Sequence, residues 1–172
     1  MKFDGLGVAV ITPFNNNFEV DQKALTNILD HLINNGADYL VIMGTTGESV
    51  TLGQNEKNTI IQLTKEVNKG RLPIVLGIGG NNTASVIESI KTTELEGIDG
   101  ILSVSPYYNK PNQKGIYHHY GSISEASPLP IILYNVPGRT GSNITADTTL
   151  QLASDFENIV AIKEASGDLD QI

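Results

Sequence analysis

Six short apolar runs rich in β-branched residues recur about every 26 to 35 residues along this 172-residue chain. They lie at 8–12, 39–43, 74–78, 100–104, 131–134 and 159–162. Between them are stretches with helical periodicity at 21–35, 55–68, 83–96, 114–126 and 145–154. In the first, Leu25, Ile28, Leu29, Leu32 and Ile33 follow the i, i+3, i+4, i+7, i+8 stripe of an amphipathic helix. Gly36 stands after its end as a stop signal. The third carries Val86, Ile90 and Leu95, with Gly97 following. Asp21, Thr83 and Thr145 are expected to cap helix starts.

Nearly continuous apolar strands that alternate with helices imply a parallel sheet covered by helices, an α/β fold. The candidates are an open doubly wound sheet and a (β/α)8 barrel. In both, chemistry gathers where strands end. The residues just after each run are therefore the informative ones. The exits read Thr12-Pro-Phe, then Gly44-Thr-Thr-Gly-Glu48, Gly79-Gly-Asn-Asn82, Ser105-Pro-Tyr-Tyr-Asn109 and Asn135-Val-Pro-Gly-Arg-Thr-Gly141. The sixth run ends at Lys163, before Glu164-Ala-Ser-Gly-Asp168. Polar residues at nearly every exit suit a barrel mouth better than a single crevice. A closed barrel takes about 250 residues. The expectation is therefore residues 1–172 as the N-terminal part of a single barrel domain, without its last two βα units and C-terminal helical region. A fragment, a wall supplied by another chain and an open sheet are the ways to accommodate six strands.

Composition closes off other classes. With 40% hydrophobic and 17% charged residues, the chain is ordinary for a globular domain. No apolar run approaches the ~20 residues of a membrane span. The opening Met1-Lys-Phe-Asp-Gly-Leu-Gly lacks a signal peptide's apolar core, so a cytoplasmic location is the default. Zero cysteines remove disulfides and thiolate chemistry. A net charge of -8 argues against nucleic acid and against anionic membrane surfaces as partners.

Lys163 is the leading candidate for chemistry. The run Ile159-Val-Ala-Ile162 before it reads as a buried strand. Burial disfavours an ammonium, and a neutral amine is a nucleophile that forms Schiff bases with carbonyl substrates. The competing reading is a lysine that snorkels from a strand end to solvent. Gly44-Thr45-Thr46-Gly47-Glu48 offers hydroxyls and amides before a helix, able to hold a carboxylate or simply to cap. Gly77-Ile-Gly79-Gly80-Asn81-Asn82 fails the G-x-G-x-x-G spacing and reads as a close-packed turn. Tyr107 and Tyr108 are expected to point opposite ways from an extended loop. Tyr134 at the fifth exit could move protons, and Arg139 could pair with a substrate carboxylate. His31, His118 and His119 form no metal constellation, and the adjacent pair reads as a solvated helix face.

Four motifs in register carry a resemblance. Gly44-Thr-Thr-Gly-Glu48, Pro106-Tyr-Tyr-Asn109, Tyr134-Asn-Val-Pro137 with Arg139-Thr140, and Lys163-Glu-Ala-Ser-Gly-Asp168 resemble the dihydrodipicolinate synthase family. That family lies within the pyruvate-dependent class I aldolases, beside N-acetylneuraminate lyase. The resemblance runs along essentially the whole chain. It implies a (β/α)8 barrel, usually in a homotetramer, with no metal or organic cofactor. It also implies condensation of pyruvate with L-aspartate 4-semialdehyde in lysine and diaminopimelate biosynthesis. Lys163 resembles the Schiff-base lysine, and Tyr134 the proton-moving tyrosine. Thr45 and Tyr108 resemble its relay partners, with Tyr108 reaching into a neighbouring subunit. Thr46 matches a pyruvate-carboxylate contact and Arg139 the residue meeting the semialdehyde carboxylate.

Ser49 and Asn81 match two positions of the pocket that binds lysine in feedback-inhibited members. Gln54, Lys57 and Ser85 replace the histidine, histidine and glutamate typical there, so weak or absent lysine inhibition is expected. Family members are longer, and the isolated 172-residue chain is expected not to turn over. Two alternatives remain: another pyruvate aldolase, acting on sialic acid or a 2-keto-3-deoxy-sugar acid, and a non-catalytic half-barrel that binds a ligand or partner.

Overall fold

A computed structural model describes residues 3–172. The chain falls into two compact units, one running to Gly77 and including Leu95–Asp99, the other comprising Ile78–Glu94 and Gly100–Ile172.

The first unit holds β1 (Gly7–Ala9), α1 (Gln22–Asn34), β2 (Tyr39–Ile42), a 3-10 turn (Thr45–Gly47), α2 (Gln54–Asn68) and β3 (Ile74–Gly77). β1 pairs with β2 and β2 with β3, all parallel, with Leu40 against Ile74. Asp21 caps α1, its carboxylate accepting from the Ala24 amide at 2.9 Å. Leu25 and Leu29, the centre of the expected stripe, are buried with Leu40, Ile42, Ile60 and Leu76. Gly36 takes a left-handed φ of +94° that a side chain would resist. β1 is shorter than its apolar run, and the Tyr39 side chain packs closely over Gly7. A Cβ on it would stand 2.0 Å from the Tyr39 ring.

The second unit holds α3 (Thr83–Thr92), β4 (Gly100–Val104), α4 (Gln113–Ala126), β5 (Ile131–Asn135), the one-turn α5 (Pro137–Thr140), α6 (Ala146–Asp155) and β6 (Ile159–Glu164). β4, β5 and β6 again pair in parallel. Ile101, Ile116, Tyr120, Ile123, Ile131 and Leu133 are fully buried. Thr145 caps α6, accepting from the Thr148 amide.

Three expectations need correcting here. α3 stops at Thr92, so Leu95 lies beyond it, in the segment that belongs to the first unit. Its cap is Asn82, whose side chain accepts from the Ser85 amide at 3.2 Å, not Thr83. The Thr83 hydroxyl instead meets His119 Nδ1 at 2.8 Å. That contact is part of the third correction. His118 is exposed, but His119 is only 4% exposed. Neighbouring helical positions lie about 100° apart, so one of two adjacent histidines on an amphipathic helix turns inward.

Candidate active site

Two of the predicted site residues of the second unit, Tyr134 and Lys163, meet at the C-terminal ends of β5 and β6. Tyr134 is the fourth residue of β5, and Lys163 is its register partner on β6. Cross-strand partners share a sheet face, and the two side chains meet. Lys163 Nζ lies 4.8 Å from the centroid of the Tyr134 ring, within cation–π range. Tyr134 is 7% exposed and Lys163 half-buried. The lysine lies within the strand rather than after it, because β6 extends to Glu164.

The expected burial of β6 is not what the structure shows. Ile159 is buried, Val160 and Ala161 are exposed, and Ile162–Glu164 are half-buried. Among the described residues β6 pairs with β5 on one side only, which leaves much of its surface open.

Behind Tyr134 the backbone is held firmly. The Ser105 amide donates to its carbonyl at 3.1 Å. Tyr120, fully buried, donates its phenol to the Ser103 carbonyl at 2.9 Å. Burial pushes the Tyr120 phenol far above the ordinary tyrosine range, so it acts as a fixed donor. The Tyr134 amide beside it opposes that shift only in part. His119 is desolvated and held neutral, its pKa lowered to about 4.

The opposite face of the same strand ends carries Asn135 and Glu164. Partial burial pushes the Glu164 carboxyl up. Hydrogen bonds from Asn135, Ser166 and Gln171 outweigh this and hold it below the usual carboxylate range. Sequence reasoning passed over both residues, since an Asn and a Glu after an apolar run look like the start of a polar loop.

Arg139 projects from α5 and is exposed, while Thr140 beside it is buried and donates to the Ser142 carbonyl at 2.7 Å. Tyr108 is 84% exposed with a left-handed φ of +75°, and Tyr107 is half-buried. The two adjacent tyrosines thus differ in exposure, but the segment is not extended at Tyr108 as its sequence suggested. Asn81 is exposed, two residues before α3.

In the first unit, Thr45 and Thr46 stand exposed in the 3-10 turn after β2. The turn does not run into a helix, as its sequence suggested. α2 starts only at Gln54, after the cap Gly53. The Thr12 hydroxyl, just past β1, pins the turn by donating to the Gly47 carbonyl at 2.7 Å. Gly77 packs behind it, where a Cβ would fall 2.1 Å from the Met43 carbonyl oxygen. The glycine-rich segment is therefore close packing, as its spacing implied. Ser49 is half-buried one residue past Glu48, which itself adopts φ +53°. Among the described residues no cluster of His, Asp or Glu could hold a metal ion.

Comparison with known proteins gives this geometry a context. The chain is 57% identical over 172 residues to the 4-hydroxy-tetrahydrodipicolinate synthase of Parabacteroides distasonis, covering 100% of this chain and 58% of that protein. It is 49% identical over 173 residues to the enzyme of that name from Bacillus subtilis, covering 59% of it. The chain thus spans under three fifths of the length of the curated relatives it matches. Among solved structures, the dihydrodipicolinate synthase of Thermotoga maritima superposes with a TM-score of 0.95 at 42% identity, over 99% of this chain and 58% of that one. The 4-hydroxy-tetrahydrodipicolinate synthase of Methylacidiphilum fumariolicum SolV gives 0.93 at 45%, over 98% and 56%. The six parallel strands are thus an α/β arrangement that those structures share. The family described as "Dihydrodipicolinate synthetase family" matches residues 2–172, and the chain belongs to it.

Proposed function

We propose that this protein condenses pyruvate with L-aspartate 4-semialdehyde to 4-hydroxy-tetrahydrodipicolinate, the product for which its relatives are named. The observation that carries this is the Lys163–Tyr134 pair, an amine and a phenol-bearing ring 4.8 Å apart at two strand ends, in a chain of this family. In this reading Lys163 attacks the pyruvate carbonyl and expels water to give an iminium. The iminium is an electron sink, so a methyl proton leaves and an enamine forms. The enamine carbon attacks the aldehyde. The amino group of the second substrate then adds to the iminium carbon, and the lysine leaves as the ring closes. Each step moves a proton, the work proposed for Tyr134 with Thr45 and Tyr108.

Thr46 is assigned to the pyruvate carboxylate and Arg139 to that of the semialdehyde, which a guanidinium binds in bidentate fashion. Tyr108, exposed on a strained loop, supports its assignment to a neighbouring subunit's site in a homotetramer. Ser49 and Asn81 are assigned to a degenerate effector site, with weak or absent lysine inhibition. The reading carries with it a cytoplasmic location, where a biosynthetic enzyme meets its metabolites. No helix among the described residues is long and apolar enough to cross a membrane.

Substrate profiling, with these 172 residues completed to the length of their relatives, tests the choice of second substrate. Pyruvate consumption that requires L-aspartate 4-semialdehyde supports the proposal. Carbon–carbon bond formation or cleavage with sialic acid or 2-keto-3-deoxy-sugar acids, and none with the semialdehyde, overturns it.

A further inference from the structure

β5 and β6 do not pair in one unbroken register. Ile131 stands against Ile159, but Ile132 stands against Ala161, so Val160 is skipped. Counted evenly from Ile131 and Ile159, the ladder would set Ile162 against Tyr134 and Lys163 against Asn135. The observed step sets Lys163 against Tyr134 and Glu164 against Asn135. A slip of one residue moves every side chain of a strand to the other face. The pairing of Lys163 with Tyr134 therefore depends on β6 keeping its bulge at Val160, a residue that is 43% exposed.

The rung beyond the pair supplies what an even ladder would lose. Asn135 is fully buried, and its Nδ2 donates to Glu164 Oε1 at 3.1 Å and Oε2 at 2.9 Å. Glu164 Oε1 also accepts from the Ser166 amide at 2.7 Å, and Oε2 from Gln171 Nε2 at 2.7 Å. Asn135 is tied to other neighbours as well. Its Nδ2 reaches Asn143 Oδ1 at 2.6 Å, its Oδ1 accepts from the Ile144 amide at 3.0 Å, and its carbonyl accepts from the Ala165 amide at 2.9 Å. Each of these groups on Glu164 is a donor, so the site fits an ionised carboxylate and nothing that carries a proton. In the even register the Asn135 amide would face the Lys163 ammonium, donor against donor.

We propose that Asn135 and Glu164 are positioning residues that lock β6 in its bulged register and so hold Lys163 across from Tyr134. This rests on the reading of Lys163 as the amine that takes pyruvate. Both act from the sheet face opposite the reacting pair.

The test uses the protein with pyruvate and borohydride, following Lys163 labelling by mass spectrometry and backbone amide exchange in parallel. Glu164→Gln keeps the size but brings an amide N–H against donors. Charge-assisted hydrogen bonds of this kind are worth about a tenfold change in an equilibrium. At saturating pyruvate the variant is expected to label Lys163 about tenfold more slowly or worse, with the final labelled fraction unchanged. The Ala165 and Ser166 amides should exchange faster by a similar factor, while those of β4 stay protected. Glu164→Asp, which keeps the charge, should recover part of the rate. Labelling at the parent rate, or unchanged exchange at Ala165 and Ser166, overturns the proposal. A drop in the final fraction with an unchanged rate also overturns it, since that is loss of folded protein. A parent protein that labels nowhere sinks the reading of Lys163 instead, and the exchange data then decide the lock alone. Should Glu164→Gln not fold, Gln171→Ala removes one donor to Glu164 and is expected to show the same changes at smaller size. Its failure to do so overturns the lock.

Discussion

Lys163 and Tyr134 matter as a pair because neither side chain alone does the proposed chemistry. Tyr134→Phe keeps the ring beneath Nζ and removes the hydroxyl. It is expected to slow imine formation with pyruvate by roughly 10²-fold or more, the usual size of a general acid–base contribution, with little change in fold. Stopped reactions trapped with borohydride measure this, and an unchanged rate removes Tyr134 from the proton path. His119 calls for a different measurement. Its pKa is lowered to about 4 in the folded chain by burial, against the ordinary 6.5. The unfolded chain therefore binds the extra proton first as pH falls. The neutral histidine's full contribution is present above about 6.5 and is lost as pH falls towards 4, a change of about 3 kcal/mol across that window. Urea melts from pH 7 to pH 4 should show this loss, and His119→Gln should flatten it. The placement of Tyr134 and Lys163 at strand ends was legible in the sequence, because an apolar run precedes each of them. That of His119 was not. Two adjacent histidines leave open which one faces inward, and only packing against Thr83 and the Tyr120 ring decides it.

At the scale of elements, the strand and helix order was legible because apolar runs and 3.6-residue stripes alternate so regularly. Ends were less so. The run at 83–96 kept its apolar spacing past the last helical hydrogen bonds, and Asn82 outcompeted Thr83 as cap. The bulge at Val160 was invisible, since an apolar run has no polar alternation to mark a skipped residue. Gly77 shows how one element positions another. A Cβ there meets backbone at Met43 and Gly44, directly before Thr45 and Thr46. Backbone has no rotamer with which to yield, so Gly77→Ala is expected to cost roughly 3 kcal/mol, at the upper end of overpacking. A urea midpoint within error of the parent would show that the β2 exit is softer than this contact implies.

For the whole molecule, family membership stands on a match along nearly all of the chain and on superposition with solved members. What the chain does is a proposal built on that membership and on one pair of side chains. Folding the two together yields one claim: Lys163 forms a Schiff base with pyruvate. Incubation with pyruvate and borohydride, followed by peptide mass mapping, measures it directly. The account predicts the increment of one reduced pyruvate on the peptide carrying Lys163, absent without pyruvate and absent in Lys163→Ala. A folded chain that gains no increment, or gains it on another lysine, contradicts it.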